Sequence, residues 1–190
     1  MYTEYPWFAL QTRPKHERKV ESLLKQKGYD CFTPIYRSKR KWSDRVVEID
    51  SPLFPGYVFC HFNPSALGKA ISTQGVTRVV GFGGTPAEVA WEEVKALQLL
   101  AQTRLLREPW KYLPDGTPVL VETGPLAGVR GIISAGENKR HLVISVTLLQ
   151  RSVAIQLDED TVISVIEGLE KRKFGFSPES SFAVKLLRRM

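Results

Sequence analysis

The chain has 190 residues, 43% hydrophobic and 10% aromatic, enough for one ordinary domain or two small ones and too apolar for a disordered polymer. No stretch approaches the roughly 20 apolar residues of a membrane span, and Met1-Tyr2-Thr3-Glu4-Tyr5-Pro6 lacks the basic and apolar regions of a secretory signal. Residues 1–108 hold 16 Lys/Arg against 11 Asp/Glu, residues 109–168 hold 5 against 7, and residues 169–190 hold 6 against 2, a division that predicts two units with different partners.

In chain order, Trp7-Phe8-Ala9-Leu10 reads as a short buried strand. Thr12-Arg13-Pro14 opens a helix over 14–27, proline being tolerated in a first turn. Val20, Leu23 and Leu24 share one face with His16 a turn earlier, while Lys15, Arg18, Lys19 and Lys25 take the other, and Gly28 supplies the stop. Tyr29–Tyr36 is strand-like, Arg37 to Asp44 is a hydrophilic tip, and Arg45–Ile49 returns, making a long hairpin with a basic tip. Cys31 and, further on, Cys60 lie in apolar strand-like runs and read as reduced core thiols of a cytoplasmic protein.

The run Pro52-Leu53-Phe54-Pro55-Gly56-Tyr57-Val58-Phe59 is a strand entered through a Pro-Gly bend. Alternation puts Tyr57, Phe59 and His61 on one face and Val58, Cys60 and Phe62 on the other. Neither set is polar enough for a wet face. The strand is either buried on both sides or offers one side as a docking surface.

Asn63-Pro64 starts a short helix to about Ser72, Val76–Phe82 is a strand, and Gly83-Gly84-Thr85-Pro86 is a turn. From Glu88 to about Arg107 the stripe Ala90, Val94, Leu97, Ala101, Leu105 marks an amphipathic helix. The order predicts an α+β N-terminal domain, a mostly antiparallel sheet with helices, over residues 1–108. The helices at 14–27 and 88–107 are expected to cover the Val58, Cys60, Phe62 side, which leaves Tyr57 and Phe59 open with Phe54 beside them. Two prolines and a glycine make 109–116 the linker. Five short strands (Pro118–Val121, Val129–Ser134, His141–Val146, Ser152–Gln156, Val162–Val165) predict a small all-β barrel over 117–167. The basic Ser/Pro-containing tail, 168–190, is expected to be mobile, with a short helix around Phe182–Leu187.

A search for chemistry finds no catalytic residue, no metal set and no cofactor loop. Cys60 and His61 point to opposite faces of one strand, and His16, His61 and His141 have no ligand-type partner at helical spacing. Gly81-Phe82-Gly83-Gly84 lacks the following Lys-Ser/Thr of a phosphate loop, and Asp158-Glu159-Asp160 reads as a solvated turn.

Several segments carry a family resemblance. Trp7-Phe8-Ala9-Leu10-Gln11-Thr12 before a basic helix, the Pro52–Phe59 motif, and Gly75-Val76-Thr77-Arg78-Val79-Val80-Gly81-Phe82-Gly83-Gly84 resemble the N-terminal domain of NusG, the bacterial transcription elongation factor. Val121-Glu122-Thr123-Gly124-Pro125-Leu126-Ala127-Gly128-Val129-Arg130-Gly131 is similar to the KOW motif of that family's C-terminal, SH3-like barrel. The likeness covers about residues 5–167 in the family's domain order. Within the motif Gly124, Pro125 and Gly128 punctuate a turn, and Gly131 sits where a side chain would crowd a curved barrel. Cys31-Phe32-Thr33-Pro34-Ile35-Tyr36 resembles specialised, operon-restricted members of the RfaH or UpxY type. The His-Thr-Thr-Thr motif of RfaH has no counterpart around Leu67–Ser72.

The resemblance implies an elongation or antitermination factor that suppresses pausing or modulates termination. Phe54, Tyr57 and Phe59, with Trp7 and Leu97 as neighbours, would form the depression that seats the clamp helices of the largest RNA polymerase subunit. Aromatics suit such an anchor, burying large area with few rotors. Arg13, Lys15, His16, Arg18 and Lys19, with Arg37, Lys39, Arg40, Lys41 and Trp42, would face upstream or non-template DNA, the cations neutralising phosphates and His16 or Trp42 stacking on unpaired bases. Leu148, Leu149, Gln150 and Arg151 match the loop that in NusG contacts a small-subunit ribosomal protein or the termination factor Rho, although the housekeeping protein commonly has an aromatic and a glycine there. The alternative is a ribosome-associated, RNA-binding KOW protein, which places RNA affinity in the net-acidic region 115–167.

Overall fold

The computed structural model describes residues 5–41, 45–103, 105, 107–110, 116–135, 140–158 and 160–166. Trp42 at the hairpin tip, most of the expected linker and the tail from 168 lie outside these residues. The first strand, β1 (Trp7–Thr12), is the axis of the first unit. Its side chains alternate between two cores: Phe8 and Leu10 join one apolar cluster, Trp7 and Ala9 the other. All four are buried.

Helix α1 (Glu17–Gln26) begins three residues later than the sequence predicts. Lys15 takes a positive φ of 63°, which a right-handed helix cannot contain, so His16 becomes the N-cap. The far end follows the Schellman pattern: Gly28, at φ 85°, donates to the Lys25 carbonyl, and Tyr29 donates to that of Leu24. Val20 and Leu24 are fully buried against β1 and β5 neighbours.

The strand β2 (Asp30–Phe32) stops at Thr33-Pro34, and β3 (Ile35–Lys41) pairs with β4 (Val46–Pro52) as a separate two-stranded ribbon. β5 (Tyr57–His61) lies between β2 and β1, antiparallel to both. A 3-10 turn at Pro64–Ala66 leads into α2 (Leu67–Ile71), with the Asn63 side chain accepting from the Ser65 amide as its cap. β6 (Val76–Val79) pairs with the other edge of β1. The expected turn at Gly83-Gly84 joins the short β7 (Gly81–Phe82) and β8 (Thr85–Pro86), both glycines having positive φ.

The third helix departs from the sequence reading at both ends. Glu88–Val89 is a strand, β9, paired with Phe8 and Trp7, so α3 (Trp91–Gln102) starts after it. The helix also ends five residues early. Arg107, expected inside it, instead sends its guanidinium back to the carbonyls of Leu100 (2.5 Å) and Thr103 (2.9 Å), capping the terminal carbonyls. The buried stripe is therefore Val94, Ala96, Leu97 and Leu100, while Ala90 and Ala101 are exposed.

The second unit contains the five expected strands within a residue or two: β11 (Thr117–Val121), β12 (Arg130–Ala135), β13 (Arg140–Val146), β14 (Arg151–Gln156) and β15 (Ile163–Val165). A sixth, β10 (Arg107–Trp110), takes the first two residues of the expected linker and pairs with β14. Pro109 is tolerated there because β10 is at the end of the sheet, whose order is β10-β14-β13-β12-β11-β15, all antiparallel. Gly131 lies opposite Val119, and a Cβ there would come within 2.7 Å of Leu142 Cδ1 and 2.8 Å of the Val143 carbonyl oxygen. Gly131→Ala is expected to destabilise this unit by about 1–3 kcal/mol, the usual cost of overpacking, which chemical denaturation monitored by circular dichroism would measure.

Candidate functional site: an aromatic face closed by the second unit

The Pro-Gly bend is pinned from two sides. Gly56, at φ 86°, donates its amide to Glu17 Oε1 (2.7 Å) in the first turn of α1, and its carbonyl accepts from the Thr12 amide (2.8 Å) at the end of β1. Glu17 is buried to make this contact. A side-chain acceptor thus holds the loop from which β5 departs, fixing which residues face each way.

Alternation along β5 is as the sequence predicts. Val58, Cys60 and Phe62 lie in the core beneath α1 with Leu10, Val20 and Leu24. Phe59 lies in the opposite core, with Tyr57 packed against it. The expectation that both helices cover the first side is wrong. Only α1 does; α3 contributes Val94, Leu97 and Leu100 to the Phe59 side.

The structure brings all five expected docking residues to that side. Phe54 and Phe59 meet edge to face at 5.6 Å between ring centroids, Phe59 stacks on Phe32 at 5.6 Å, and Trp7 meets Phe32 edge-on at 5.6 Å. Such offset and T-shaped contacts suit the aromatic quadrupole. Phe32 was missed by sequence reasoning, although its register opposite Phe59 on the neighbouring strand could have placed it. These residues are not open. Phe54, Phe59 and Leu97 have 0% exposure, and Trp7 is 6% exposed.

Part of the cover comes from the second unit. Val119, Val121, Leu142, Ile144, Val146, Val153 and Ile155 belong to the same apolar cluster as Phe59 and Leu97, and α3 packs against β13. The loop after β13, expected to expose two leucines, is a 3-10 turn (Thr147–Leu149) beside β9, and Leu148 and Leu149 are half-buried against this cluster. Gln150 remains exposed in the left-handed region, φ 52°, and donates from Nε2 to the Thr147 carbonyl. Arg151 reaches across to the first unit: a guanidinium nitrogen donates to the Pro55 carbonyl at 3.0 Å, and its Cζ sits 5.0 Å from the centre of the Tyr57 ring.

A second polar contact crosses the junction. Glu93 Oε1 on α3 accepts from both the Thr147 amide (3.2 Å) and its hydroxyl (2.7 Å). Neither residue was singled out in the sequence, since an acidic side chain in a helix's first turn reads as complementing its dipole. Burial pushes the Glu93 carboxyl above the ordinary range, and the two Thr147 donors pull it partly back.

The basic candidates divide into two groups. Arg13, Lys15 and Lys19 are exposed, and His16 is held by Nδ1 donating to the Pro14 carbonyl at 3.0 Å. Arg18 is paired with Asp50 at 2.9 Å, tying α1 to the ribbon, and Arg37 lies 3.9 Å from Asp50 and 4.0 Å from Glu48. Exposed pairs of this kind are weak, yet they offset charge that the sequence reading assigned to phosphates. Lys39, Arg40 and Lys41 lie on β3; their side chains, and Trp42 as a whole, are outside the described residues. In the second unit Gly124 and Gly128 take positive φ of 82° and 83° around Pro125, and the Gly128 amide donates to the Val121 carbonyl, closing the turn between β11 and β12. Among the described residues no group of three His, Cys, Asp or Glu side chains could hold a metal, and no helix is long and apolar enough to cross a membrane.

The site thus combines an aromatic face, a basic flank on α1 and an all-β unit set against that face. Residues 5–98 match the NusG family model, described as transcription termination factor NusG. Among solved structures, Thermotoga maritima NusG, from a structure of its domain interaction, is 25% identical over 85% of this chain and 97% of that one, with a TM-score of 0.49. Conformations A and B of an MjSpt4:Spt5 complex match at 16% and 18% identity, each over 84% of this chain and over 98% and 97% of those chains, with TM-scores of 0.29 and 0.30. Through residues 5–98 this chain belongs to the NusG family of transcription elongation and termination factors.

The Glu93 contact carries a pH dependence. Its raised value in the closed arrangement means that the protonated acid is the form closure favours. That contribution is fully present below the ordinary glutamate range and is lost as pH rises through the raised value. Closure should therefore weaken with rising pH over that window. Glu93→Gln should flatten the dependence and slow exchange of the Leu148–Arg151 amides about 2- to 10-fold at neutral pH, the scale of one hydrogen bond. Amide hydrogen exchange across a pH series, corrected for intrinsic rates, is the measurement.

Proposed function

We propose that this protein is a transcription elongation or antitermination factor that seats the clamp helices of the largest RNA polymerase subunit on Trp7, Phe54, Tyr57, Phe59 and Leu97. The observation that carries the reading is the convergence of these five side chains on one face of a NusG-family domain. The second unit acts as an SH3-like KOW barrel. Its Leu148–Arg151 loop recruits a partner, a small-subunit ribosomal protein or Rho. Arg13, Lys15 and Lys19 face upstream or non-template DNA. Binding that favours one polymerase conformation suppresses pausing with no chemical step.

In the closed arrangement the two candidate surfaces occupy each other, Arg151 against Tyr57 and Leu148 and Leu149 against the shared core. Polymerase docking then requires the units to separate. Apparent affinity is reduced by the fraction of molecules that are closed. Separation would free the Leu148–Arg151 loop at the same step, linking polymerase binding to partner recruitment.

Tyr57→Ala is expected to leave the first unit folded and weaken binding to core polymerase at least roughly tenfold, the scale of an interface anchor. Thr147→Val, which removes a donor to Glu93, should strengthen binding about 3- to 10-fold by favouring the open form. Titration of labelled protein with core polymerase measures both, and unchanged affinity for Tyr57→Ala sinks the assignment of the face. Transcription in vitro with and without Rho then scores pausing and readthrough.

DNA contact should show a steep salt dependence, because each neutralised phosphate releases counterions. Replacing Lys15 and Lys19 by alanine should flatten the log–log salt slope by about one to two and weaken binding to any DNA sequence alike. A salt-insensitive complex would remove the basic face from the function.

A further inference from the structure

The two cysteines of the chain are 29 positions apart in sequence and directly opposite each other in the fold. Cys31 on β2 pairs with Cys60 on β5 in the antiparallel register Asp30↔His61, Cys31↔Cys60, Phe32↔Phe59. Directly opposed residues point to the same face of the sheet, and both thiols lie in the core beneath α1, Cys31 at 2% exposure and Cys60 at 0%. The Cys31 thiol also touches the α1 backbone, with Sγ 3.5 Å from the Glu21 carbonyl oxygen. Opposed Cα atoms in an antiparallel pair are about 4.5–5.5 Å apart, inside the roughly 4.4–6.8 Å range of disulfides. Bond formation needs side-chain rotation and little backbone movement.

We propose that Cys31 and Cys60 are a reversible modification site that closes to a cross-strand disulfide on exchange with a small-molecule disulfide. Both thiols are free in the present structure. The pair is too small a ligand set for a metal: no third His, Cys, Asp or Glu among the described residues completes one. Access comes from β2, which has three residues, lies at the end of its sheet and, among the described residues, pairs only with β5. Fraying of so short an edge strand brings Cys31 to solvent without unfolding the unit.

In the reaction, the Cys31 thiolate attacks one sulfur of the small disulfide, forming a mixed disulfide and releasing one thiol. The Cys60 thiolate then attacks the Cys31 sulfur, forming the protein disulfide and expelling the second thiol. The protein loses two electrons and two protons, and one small disulfide is reduced to two thiols. The order follows from access: Cys31 is on the edge strand β2, whereas Cys60 is on β5, which is paired on both sides.

The bond would close a loop containing the whole β3–β4 ribbon and fix Phe32 beside Phe59. It would stabilise the first unit against unfolding while leaving Tyr57 unmodified.

The test equilibrates the full chain in buffers of oxidised and reduced glutathione, blocks remaining thiols with a maleimide under denaturing conditions and measures intact mass. The expected product is a monomer lighter by two hydrogens that takes up no maleimide, with one cross-linked peptide containing Cys31 and Cys60 after digestion. Its melting temperature should exceed that of the reduced chain by roughly 5–15 °C, and dithiothreitol should restore two maleimide additions. Cys31→Ala and Cys60→Ala should each abolish the internal link. Two maleimide additions even in the most oxidising buffer, or cross-links only between chains, would overturn the proposal. Wild-type mass alone decides the chemistry if either variant folds poorly.

Discussion

The central pair of strands, β1 and β5, has no polar side. Phe8, Leu10, Val58 and Cys60 lie toward α1, and Trp7, Ala9 and Phe59 lie the other way. Apolar surface of this kind must be covered, at roughly 25 cal/mol per Å² of area removed from water, and α1 covers one side only. The other side is completed by α3 and by residues of the second unit. The junction between units, the burial of the aromatic face and the position of the Thr147–Leu149 turn all follow from this need for a second cover.

The same constraint explains why Phe54, Phe59 and Leu97 have no exposure. Side chains suited to anchor a partner helix are equally suited to pack within the protein. The contacts across the junction are of two kinds: a broad apolar core shared by both units, and polar links from Thr147 and Arg151 to Glu93 and the Pro55 carbonyl. Glu93 makes its link in a buried setting that disfavours the charged form of its carboxyl.

Much of this was legible in the sequence. The alternation of Tyr57–Phe62 and five of the six strands of the second unit follow from spacing and turn residues alone. The basic hairpin was also legible, but its expected tip, Arg37 to Asp44, is strand as far as Lys41, and the run expected as one strand over 29–36 breaks at Thr33-Pro34. What could not be read was which element covers which face. Periodicity shows that α3 has an apolar side but not the sheet face it meets, and so both helices were expected on the Cys60 side. The end of α3 was equally hidden. No glycine or proline precedes Arg107, and the helix stops because a guanidinium seven residues beyond Leu100 turns back to its carbonyl, a tertiary contact with no local signature. Glu93 and Thr147, 54 positions apart, carry no pattern that would pair them. Leu148 and Leu149 were read as exposed because they follow a strand, and only the packing of two units brings them under cover.

Arg107 also bears on how the units can move. It begins β10, the edge strand of the second sheet, while its side chain is bonded to the end of α3 and, through Nε, to the Ile35 carbonyl at the root of the ribbon. One residue is therefore covalently part of one unit and hydrogen-bonded to two elements of the other. If the apolar junction parts while these bonds hold, the second unit swings on a short tether instead of diffusing away. Opening and closing is then a property of a single chain, with a high effective concentration set by the tether. A partner competing for the aromatic face must overcome that local concentration, whatever the concentration of the protein around it.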